Sequence, residues 1–136
     1  MRIIIGIILL LSFVAIGLKA QNVGLATYYG KKFNNRKTAS GEIYKKDSMV
    51  CAHRTYPFGS LLKVKSLKND KEIIVKVIDR GPFRKKCIID LSYAAAKELD
   101  MVHHGLMKVE VSEYIKPIQD TIRPDSITMI KNPLVQ

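Results

Sequence analysis

The strongest constraint on the fold of this chain is a series of short alternating segments, each bounded by residues that favour turns. In residues 60–67, leucine and valine alternate with lysine, which is typical of a strand with one buried and one solvated face. Residues 71–78 are rich in isoleucine and valine, and Asn69-Asp70 between the two segments favours a tight turn. This pattern predicts a β-hairpin.

Three further segments predict short strands: residues 24–30, 87–91 and 107–111. Ser92 is a favourable N-cap for a helix over residues 93–99, which are rich in alanine. Residues 31–41 are polar and turn-rich, and a loop of that length in a small domain is usually functional or disordered. About six short strands and one short helix within about 90 residues indicate a mainly β domain, either a barrel or a sandwich.

The two ends of the chain differ from this domain. Residues 3–18 are almost entirely apolar, Arg2 precedes them, and Leu18-Lys19-Ala20 ends in a small residue, as a secretory signal peptide does. We expect residues 1–20 to be removed and the protein to be exported to the periplasm or cell envelope. The alternative is an uncleaved anchor, for which the apolar run is short. The domain is then expected to be residues 21–115, with a flexible tail over residues 116–136.

The net charge favours an anionic partner. Without Arg2 and Lys19 the chain has 21 basic and 12 acidic residues, a net charge of +9. For an exported protein the anionic cell envelope is a better candidate than nucleic acid, and the basic residues are scattered along the sequence. The alternative is that the charge only serves solubility. We expect no nucleic-acid partner and no stable membrane insertion after signal cleavage.

Cys51 and Cys87 are the two cysteines of the chain. An even number of cysteines in an oxidising compartment favours a disulfide. A bridge between these two would stabilise the fold by about 3–4 kcal/mol through loop closure. The alternative is two buried free thiols. We expect the disulfide.

Three segments place an ionisable side chain beside residues that restrict the backbone. Glu42 follows a Ser-Gly turn, and His53 lies in an apolar stretch bounded by proline and glycine. Asp79 ends the apolar segment 71–78 and precedes Gly-Pro. An acid at the end of a buried strand resists ionisation because burial disfavours its charge, and a general acid at neutral pH needs that property. Adjacent strand residues point to opposite faces, so Arg80 is not expected to pair with Asp79.

Each of these residues also has an ordinary structural explanation. Asp79 fits a turn in which its carboxylate accepts backbone hydrogen bonds, Glu42 fits a solvated turn, and His53 fits a core histidine. Asp90 is interpreted as bracing the start of the helix, where a carboxylate suits the helix dipole. His103-His104 is interpreted as a solvated loop pair without a spaced third metal ligand. The sequence has no Gly-rich phosphate loop and no Gly-x-Ser-x-Gly nucleophile elbow.

Several motifs occur together in one order. They are Gly24-Leu-Ala-Thr-Tyr-Tyr-Gly30, Thr38-Ala-Ser-Gly-Glu42, Ala52-His53, Pro57-Phe58-Gly59, Asp79-Arg-Gly-Pro-Phe83 and Ile89-Asp-Leu-Ser92. In this combination the chain resembles the rare lipoprotein A family of septal lytic transglycosylases over about residues 23–112.

The resemblance implies a six-stranded double-psi β-barrel. It also implies cleavage of the β-1,4 bond between N-acetylmuramic acid and N-acetylglucosamine, in which the muramyl 6-hydroxyl displaces the leaving sugar and leaves a 1,6-anhydro end. No metal or cofactor is implied. By resemblance, Asp79 is the catalytic aspartate, and Glu42 and His53 are the active-site glutamate and histidine.

The resemblance fits the chemistry of the residues. We interpret Asp79 as the acid that protonates the glycosidic oxygen and later as the base, with Glu42 and His53 orienting the sugar or stabilising developing charge. The expected substrate-binding residues are Tyr28, Tyr29, Thr38 and Arg80, with one of the two tyrosines also expected in the core. The expected partner is the glycan strand of peptidoglycan, bound by a monomer.

One departure from the family keeps a second hypothesis open. Many relatives carry an aspartate three residues after the glutamate, where this chain has Lys45. The first hypothesis is an endolytic peptidoglycan transglycosylase. The second is a non-catalytic module that binds or loosens wall polysaccharide, as expansin-like barrels do. A third, an inhibitor-type barrel, has no supporting motif. A cleft shared by Glu42 and Asp79 would favour the enzyme.

Overall fold

The computed structural model describes residues 22–118, in which six strands close into a barrel. The strands are β1 (Asn22–Tyr28), β2 (Val50–His53), β3 (Leu61–Ser66), β4 (Glu72–Asp79), β5 (Cys87–Leu91) and β6 (Met107–Glu113). One helix, α1 (Tyr93–Glu98), follows β5. The prediction of a mainly β, six-stranded barrel with one short helix is confirmed. The predicted signal peptide lies outside the described residues, as does the predicted tail beyond residue 118.

The order of the strands brings distant segments together on one wall. Around the barrel the strands follow β1-β5-β2-β4-β3-β6, with β1 parallel to β5 and β2 parallel to β4. The carboxyl ends of β1 and β5 therefore lie side by side, with Tyr28 opposite Leu91. The end of β4 lies beside β2, where Asp79 is opposite Ala52. The strands β1, β5, β2 and β4 are neighbours in the barrel wall, and the carboxyl ends of β1, β4 and β5 lie at the same level of that wall.

Alternate residues of the strands fill the barrel. Most of the side chains that point inward are aliphatic and fully buried, because successive residues of a strand point to opposite faces. They include Leu62, Val64, Val75, Val77, Ile89, Leu91, Val109 and Val111. The residues between them form the outer wall.

The predicted hairpin is confirmed as β3 and β4. The two strands are antiparallel neighbours, with Lys65 opposite Glu72. Asp70 in the turn has a φ of 60°, a left-handed conformation that aspartate and asparagine tolerate better than most residues. The backbone N–H of Lys71 donates to the Asn69 side-chain carbonyl, which closes the turn as expected for this residue type.

The predicted helix and its cap are confirmed as well. The Ser92 hydroxyl accepts a hydrogen bond from the backbone N–H of Ala95 at 3.3 Å, as an N-cap does. The interpretation of Asp90 as a brace for this helix is wrong. Its Oδ1 atom is buried and has no hydrogen-bond partner among residues 22–118.

The expected disulfide between Cys51 and Cys87 is wrong, because both cysteines are buried free thiols. The strand register separates them. Cys51 of β2 lies opposite Leu91 of β5, four residues further along β5 than Cys87. Four residues of strand span about 13 Å, whereas bridged Cα atoms lie within about 7 Å of each other. The alternative of two buried thiols is the one that holds.

Candidate active site

The candidate active site lies on the outer wall of the barrel, where the chain between β1 and β2 folds back over β4. This chain segment, residues 29–49, begins with a short 3-10 helix (Lys31–Phe33) and contains an isolated bridge between Lys37 and Ile43. Tyr44 in its middle is only 2% exposed and anchors it to the wall beside Val50 and Ile78. The backbone N–H of Ser40 donates to the Ile78 carbonyl at 3.1 Å. The predicted long polar loop is therefore ordered against the end of β4.

Asp79 is the centre of this arrangement. One carboxylate oxygen, Oδ2, accepts a hydrogen bond from the Tyr29 hydroxyl at 2.6 Å. The other, Oδ1, accepts hydrogen bonds from the backbone N–H groups of Ala39 and Arg80, each at 2.9 Å. Backbone N–H groups can only donate, so the geometry suits a carboxylate that acts as acceptor on both oxygens. Asp79 thus joins the end of β4 to Tyr29 and Ala39 of the segment 29–49.

Tyr29 is held in place by aromatic packing. Its ring stacks on Tyr44 with the ring centres 4.5 Å apart, and Phe33 packs edge-on against it at 5.7 Å. Burial raises the pKa of Tyr29 far above its usual range, and the hydrogen bond to Asp79 adds to the rise. The hydroxyl therefore stays protonated and remains a donor to Asp79.

Glu42 lies on the same loop as Ala39. The Thr38 hydroxyl donates to the Glu42 carbonyl at 2.7 Å, and Gly41 adopts a φ of +91° between them. The Glu42 carboxylate is about half exposed and forms an ion pair with Lys76 of β4 at 3.0 Å. The Thr38 hydroxyl also lies 3.1 Å from the Ser40 hydroxyl, and the substrate-binding role of Thr38 stays a prediction. The loop is thus tied to β4 twice, through the ion pair of Glu42 with Lys76 and through the hydrogen bond of Ala39 with Asp79.

His53, at the end of β2, is 5% exposed. Its Nδ1 atom lies 3.2 and 3.3 Å from the backbone nitrogens of Thr55 and Tyr56 and accepts from both, which leaves the ring proton on Nε2. Burial lowers the pKa of His53, and the positive charges of Arg80 and Arg54 lower it further. His53 is therefore a neutral imidazole at neutral pH.

Arg80 connects His53 to the site. Its guanidinium donates to the carbonyl oxygens of His53 and Tyr56 at 3.2 and 3.0 Å, and its Cζ atom lies 3.9 Å from the centre of the Phe58 ring. The prediction that Arg80 and Asp79 point apart is confirmed, because among residues 22–118 no ion pair joins them. The contacts of Arg80 fix the segment after His53.

Tyr28 and Tyr29 have different environments, as expected. The Tyr28 hydroxyl donates to the Val102 carbonyl at 2.9 Å, and its ring packs edge-on against Tyr93. Tyr28 packs against the core cluster. Of the two tyrosines, Tyr29 is the one in contact with Asp79.

A surface cleft of about 380 Å³ adjoins the site on the other side of Tyr29. It is lined by Tyr29, Gly30, Lys31, Asn34, Tyr44, Lys46 and Tyr93. Lys45 of the same loop donates from its ammonium to the Asn35 side chain at 2.6 Å. The loop therefore presents basic groups beside the aromatic pair.

The sequence interpretation missed Asp90 as a member of this wall. Burial raises the pKa of Asp90 to about 7, and the negative charge of Asp79 raises it further. The signal was present in the alternation of β5, because Cys87, Ile89 and Leu91 point inward and Asp90 must then point outward. Tyr44 was also missed, since a single tyrosine in a polar loop gives no pattern that predicts its burial.

The family of the chain follows from its sequence. The sequence model of a family described as "Lytic transglycolase" matches residues 21–111, about two thirds of the chain. The chain belongs to this lytic transglycolase family. The match covers every element of the described barrel up to Val111 in β6, and the resemblance drawn from the motifs is confirmed.

Curated relatives agree with the family match. The chain is 52% identical over 87 residues to a protein of Aquifex aeolicus named "Probable endolytic peptidoglycan transglycosylase RlpA", covering 64% of this chain and 38% of that protein. It is 47% identical over 97 residues to the "Endolytic peptidoglycan transglycosylase RlpA" of Pseudomonas aeruginosa, covering 71% of this chain and 28% of the relative. The chain thus spans less than two fifths of the length of these relatives.

Solved structures confirm the double-psi barrel fold. The "Streptomyces papain inhibitor (SPI)" superimposes with a TM-score of 0.57 at 24% identity, over 71% of this chain and 96% of the inhibitor. An expansin of Clavibacter michiganensis superimposes with a TM-score of 0.57 at 21% identity, over 72% of this chain and 52% of the expansin. At these identities the likeness concerns the fold alone.

Proposed function

We propose that this protein is an endolytic peptidoglycan transglycosylase, which cleaves the β-1,4 bond between N-acetylmuramic acid and N-acetylglucosamine and leaves 1,6-anhydromuramyl ends. The observation that carries the proposal is Asp79, fixed on the outer wall by three hydrogen bonds in a chain of the lytic transglycolase family. Its relatives are named for this activity.

The reaction requires proton transfer at two points. The leaving glycosidic oxygen gains a proton as its bond to muramyl C1 breaks, and the muramyl 6-hydroxyl loses one as its oxygen bonds to C1. In our proposal the carboxyl group of Asp79 takes part in both transfers, as a single carboxyl does in two-step glycoside chemistry. Because Tyr29 and two backbone N–H groups hold the carboxylate, it keeps its orientation while the sugar changes shape.

We assign supporting roles to Glu42 and His53. Glu42 is half exposed and held by Lys76, so its carboxylate is available to stabilise positive charge that develops on the sugar ring. His53 is neutral, and its Nε2–H is a hydrogen-bond donor suited to a sugar hydroxyl or acetamido oxygen. In this proposal neither residue exchanges a proton with the glycosidic oxygen.

One group of observations favours a non-catalytic wall-binding module as the second candidate. Lys31 and Lys46 line the cleft beside Tyr29, and Lys45 lies on the same loop. A Clavibacter expansin with the same fold, at a TM-score of 0.56 and 19% identity, is described in complex with cellohexaose. A barrel of this kind with a basic, aromatic cleft would bind wall glycan without cleaving it.

We propose that the protein works outside the cytoplasm, in the periplasm or cell envelope, where peptidoglycan lies. The apolar amino-terminal segment of the sequence supports export. Within residues 22–118, no helix is both long and apolar enough to cross a membrane.

Digestion of purified peptidoglycan tests the proposal. Residues 21–136 and the Asp79→Asn variant are incubated with intact and peptide-stripped glycan, and mass spectrometry identifies the new ends. We expect 1,6-anhydromuramyl ends from the wild type and a loss of at least a hundredfold in the variant. Reducing ends instead would identify a hydrolase. Binding without products from the wild type would support the wall-binding module.

A further inference from the structure

The register of three neighbouring strands places two carboxyl groups in one row. Ala52 of β2 lies opposite Asp79 of β4 on one side and opposite Asp90 of β5 on the other. Residues directly opposite each other on neighbouring strands point to the same face of the sheet. The Cα atoms of Asp79 and Asp90 are therefore about 10 Å apart, with only a methyl group between them.

A β-bulge makes this alignment possible. On β4, Val77 pairs with Cys51 and Asp79 pairs with Ala52, so Ile78 is an extra residue at this point of the register. The shift turns the Asp79 side chain outward, where it meets Tyr29 and the loop. On β5, Ile89 and Leu91 face the core, and Asp90 between them faces outward. Both acids thus face the site.

The two carboxyl groups differ in their hydrogen bonds. Asp79 accepts three, on both oxygens. The Oδ1 atom of Asp90 is buried and has no partner within residues 22–118. A charged carboxylate with a buried, unpartnered oxygen is costly, and a proton on the group removes that cost. The geometry therefore favours a charged Asp79 beside a neutral Asp90.

We propose that Asp79 and Asp90 form a coupled carboxyl pair that holds one proton between them near neutral pH, and that this proton serves the acid step of the cleavage. The first part stands on the geometry, and the second rests on the proposed function. During the reaction, the proton of the pair moves from Asp90 to Asp79, and Asp79 gives it to the glycosidic oxygen as the bond to C1 breaks. The 6-hydroxyl proton returns to the pair as its oxygen bonds to C1, so the pair ends as it began.

The other groups around Asp90 do not neutralise it. Tyr29, Tyr44 and Cys51 interact with Asp90, and burial raises the pKa of each of the three, so all remain uncharged. Asp79 is thus the charged group that acts on Asp90. Arg80, the nearest cation in sequence to Asp79, is directed to the carbonyl oxygens of His53 and Tyr56. Asp90 is therefore a positioning residue that acts through Asp79.

A titration that needs no substrate tests the pair. The protein is labelled with ¹³C at aspartate side-chain carboxyl groups, and the signal of Asp90 is identified by its loss in Asp90→Asn. We expect this carboxyl to titrate with a midpoint near pH 7 in the wild type and at a lower pH in Asp79→Asn, because the like charge is gone. A wild-type midpoint near pH 4, or one that Asp79→Asn leaves unchanged, would overturn the proposal.

The pH profile of peptidoglycan cleavage tests the catalytic part. Asp90→Asn keeps the shape of the side chain, and we expect its cleavage activity at pH 7 to be at least tenfold below that of the wild type. We also expect the alkaline limb of its pH–rate profile, where activity falls as the pH rises, to move to lower pH. Asp70→Asn, which removes an exposed acid in the β3–β4 turn, is the matched control and should keep the wild-type profile. A uniform loss in Asp90→Asn with an unchanged limb would mean that Asp90 is only structural. If the wild type cleaves no peptidoglycan but its Asp90 carboxyl titrates near pH 7 as expected, the proposed function is overturned. The coupling of the two carboxyl groups is then still supported.

Discussion

At the scale of single residues, the decisive contact is the hydrogen bond between the Tyr29 hydroxyl and Asp79. Tyr29→Phe removes this donor and keeps the stacking on Tyr44. A hydrogen bond to a charged group is worth about 1.5–3 kcal/mol, so we expect the release of 1,6-anhydro products to fall at least tenfold.

The neighbouring tyrosine supplies a matched control. Tyr28→Phe also removes one hydroxyl, but that hydroxyl donates to the Val102 carbonyl beside the core. We expect this variant to keep its activity within a few-fold while losing about 1 kcal/mol of stability. Equal losses of activity in the two variants would show that the hydroxyl at Asp79 has no special role.

Variants of Glu42 and Lys76 distinguish two roles for Glu42: stabilising charge on the sugar, and holding the loop through its ion pair. An exposed ion pair contributes at most about 1 kcal/mol, so neither Glu42→Gln nor Lys76→Met should unfold the barrel. If Glu42 stabilises charge on the sugar, Glu42→Gln lowers the cleavage rate about a hundredfold and Lys76→Met changes it only a few-fold. Initial rates on peptide-stripped glycan measure this. Similar losses in both variants would assign Glu42 to holding the loop.

At the scale of elements, the hairpin and the capped helix could be predicted because their signals are local. The alternation in residues 60–67 and the position of Ser92 are visible over a few residues. β2 was not predicted as a strand, because all four of its residues are buried and the alternating signal disappears. The sequence also does not show the register between β2 and β5, which keeps Cys51 and Cys87 too far apart for a disulfide.

The free thiols give a prediction at this scale. Since the register keeps Cys51 and Cys87 apart, reduction with dithiothreitol should leave the Tm unchanged, even for protein purified from the periplasm. Alkylation after unfolding, followed by mass spectrometry, should label both cysteines. A fall in Tm of several degrees on reduction, with labelling that requires a reductant, would contradict the register.

At the scale of the whole molecule, the family motifs predicted the barrel fold, and the catalytic role that they imply for Asp79 stays a prediction. They did not reveal what surrounds Asp79, because Tyr29 and Ala39 of the segment 29–49 contact it, and Asp90 of β5 lies two strands away in the same row. The bulge at Ile78 that turns Asp79 outward is a property of strand pairing and leaves no mark in the sequence of β4. Motifs of this kind name candidate site residues, and only the closed barrel relates these residues in space.

Global stability should depend on pH through Asp90. Its pKa is about 7 in the folded protein and 3.8 in the unfolded chain, so folding favours the protonated form. This stability is fully present below pH 3.8 and is lost as the pH rises through 7, by a few kcal/mol in total. The free energy of unfolding of the wild type relative to Asp90→Asn should therefore fall between pH 4 and pH 7 and level off above. Urea denaturation at each pH measures it, and a pH-independent difference would contradict the raised pKa.

In the proposed function, glycan is cleaved on the outer wall at Asp79. The most direct test is a crystal structure of the Asp79→Asn variant with a peptide-stripped glycan fragment that contains an intact muramyl bond. We expect the scissile glycosidic oxygen to lie within about 3.5 Å of the side chain at position 79, with the sugar against Tyr29 and the loop of Glu42. A fragment bound with its muramyl bonds out of reach of position 79 would show that cleavage does not take place at Asp79.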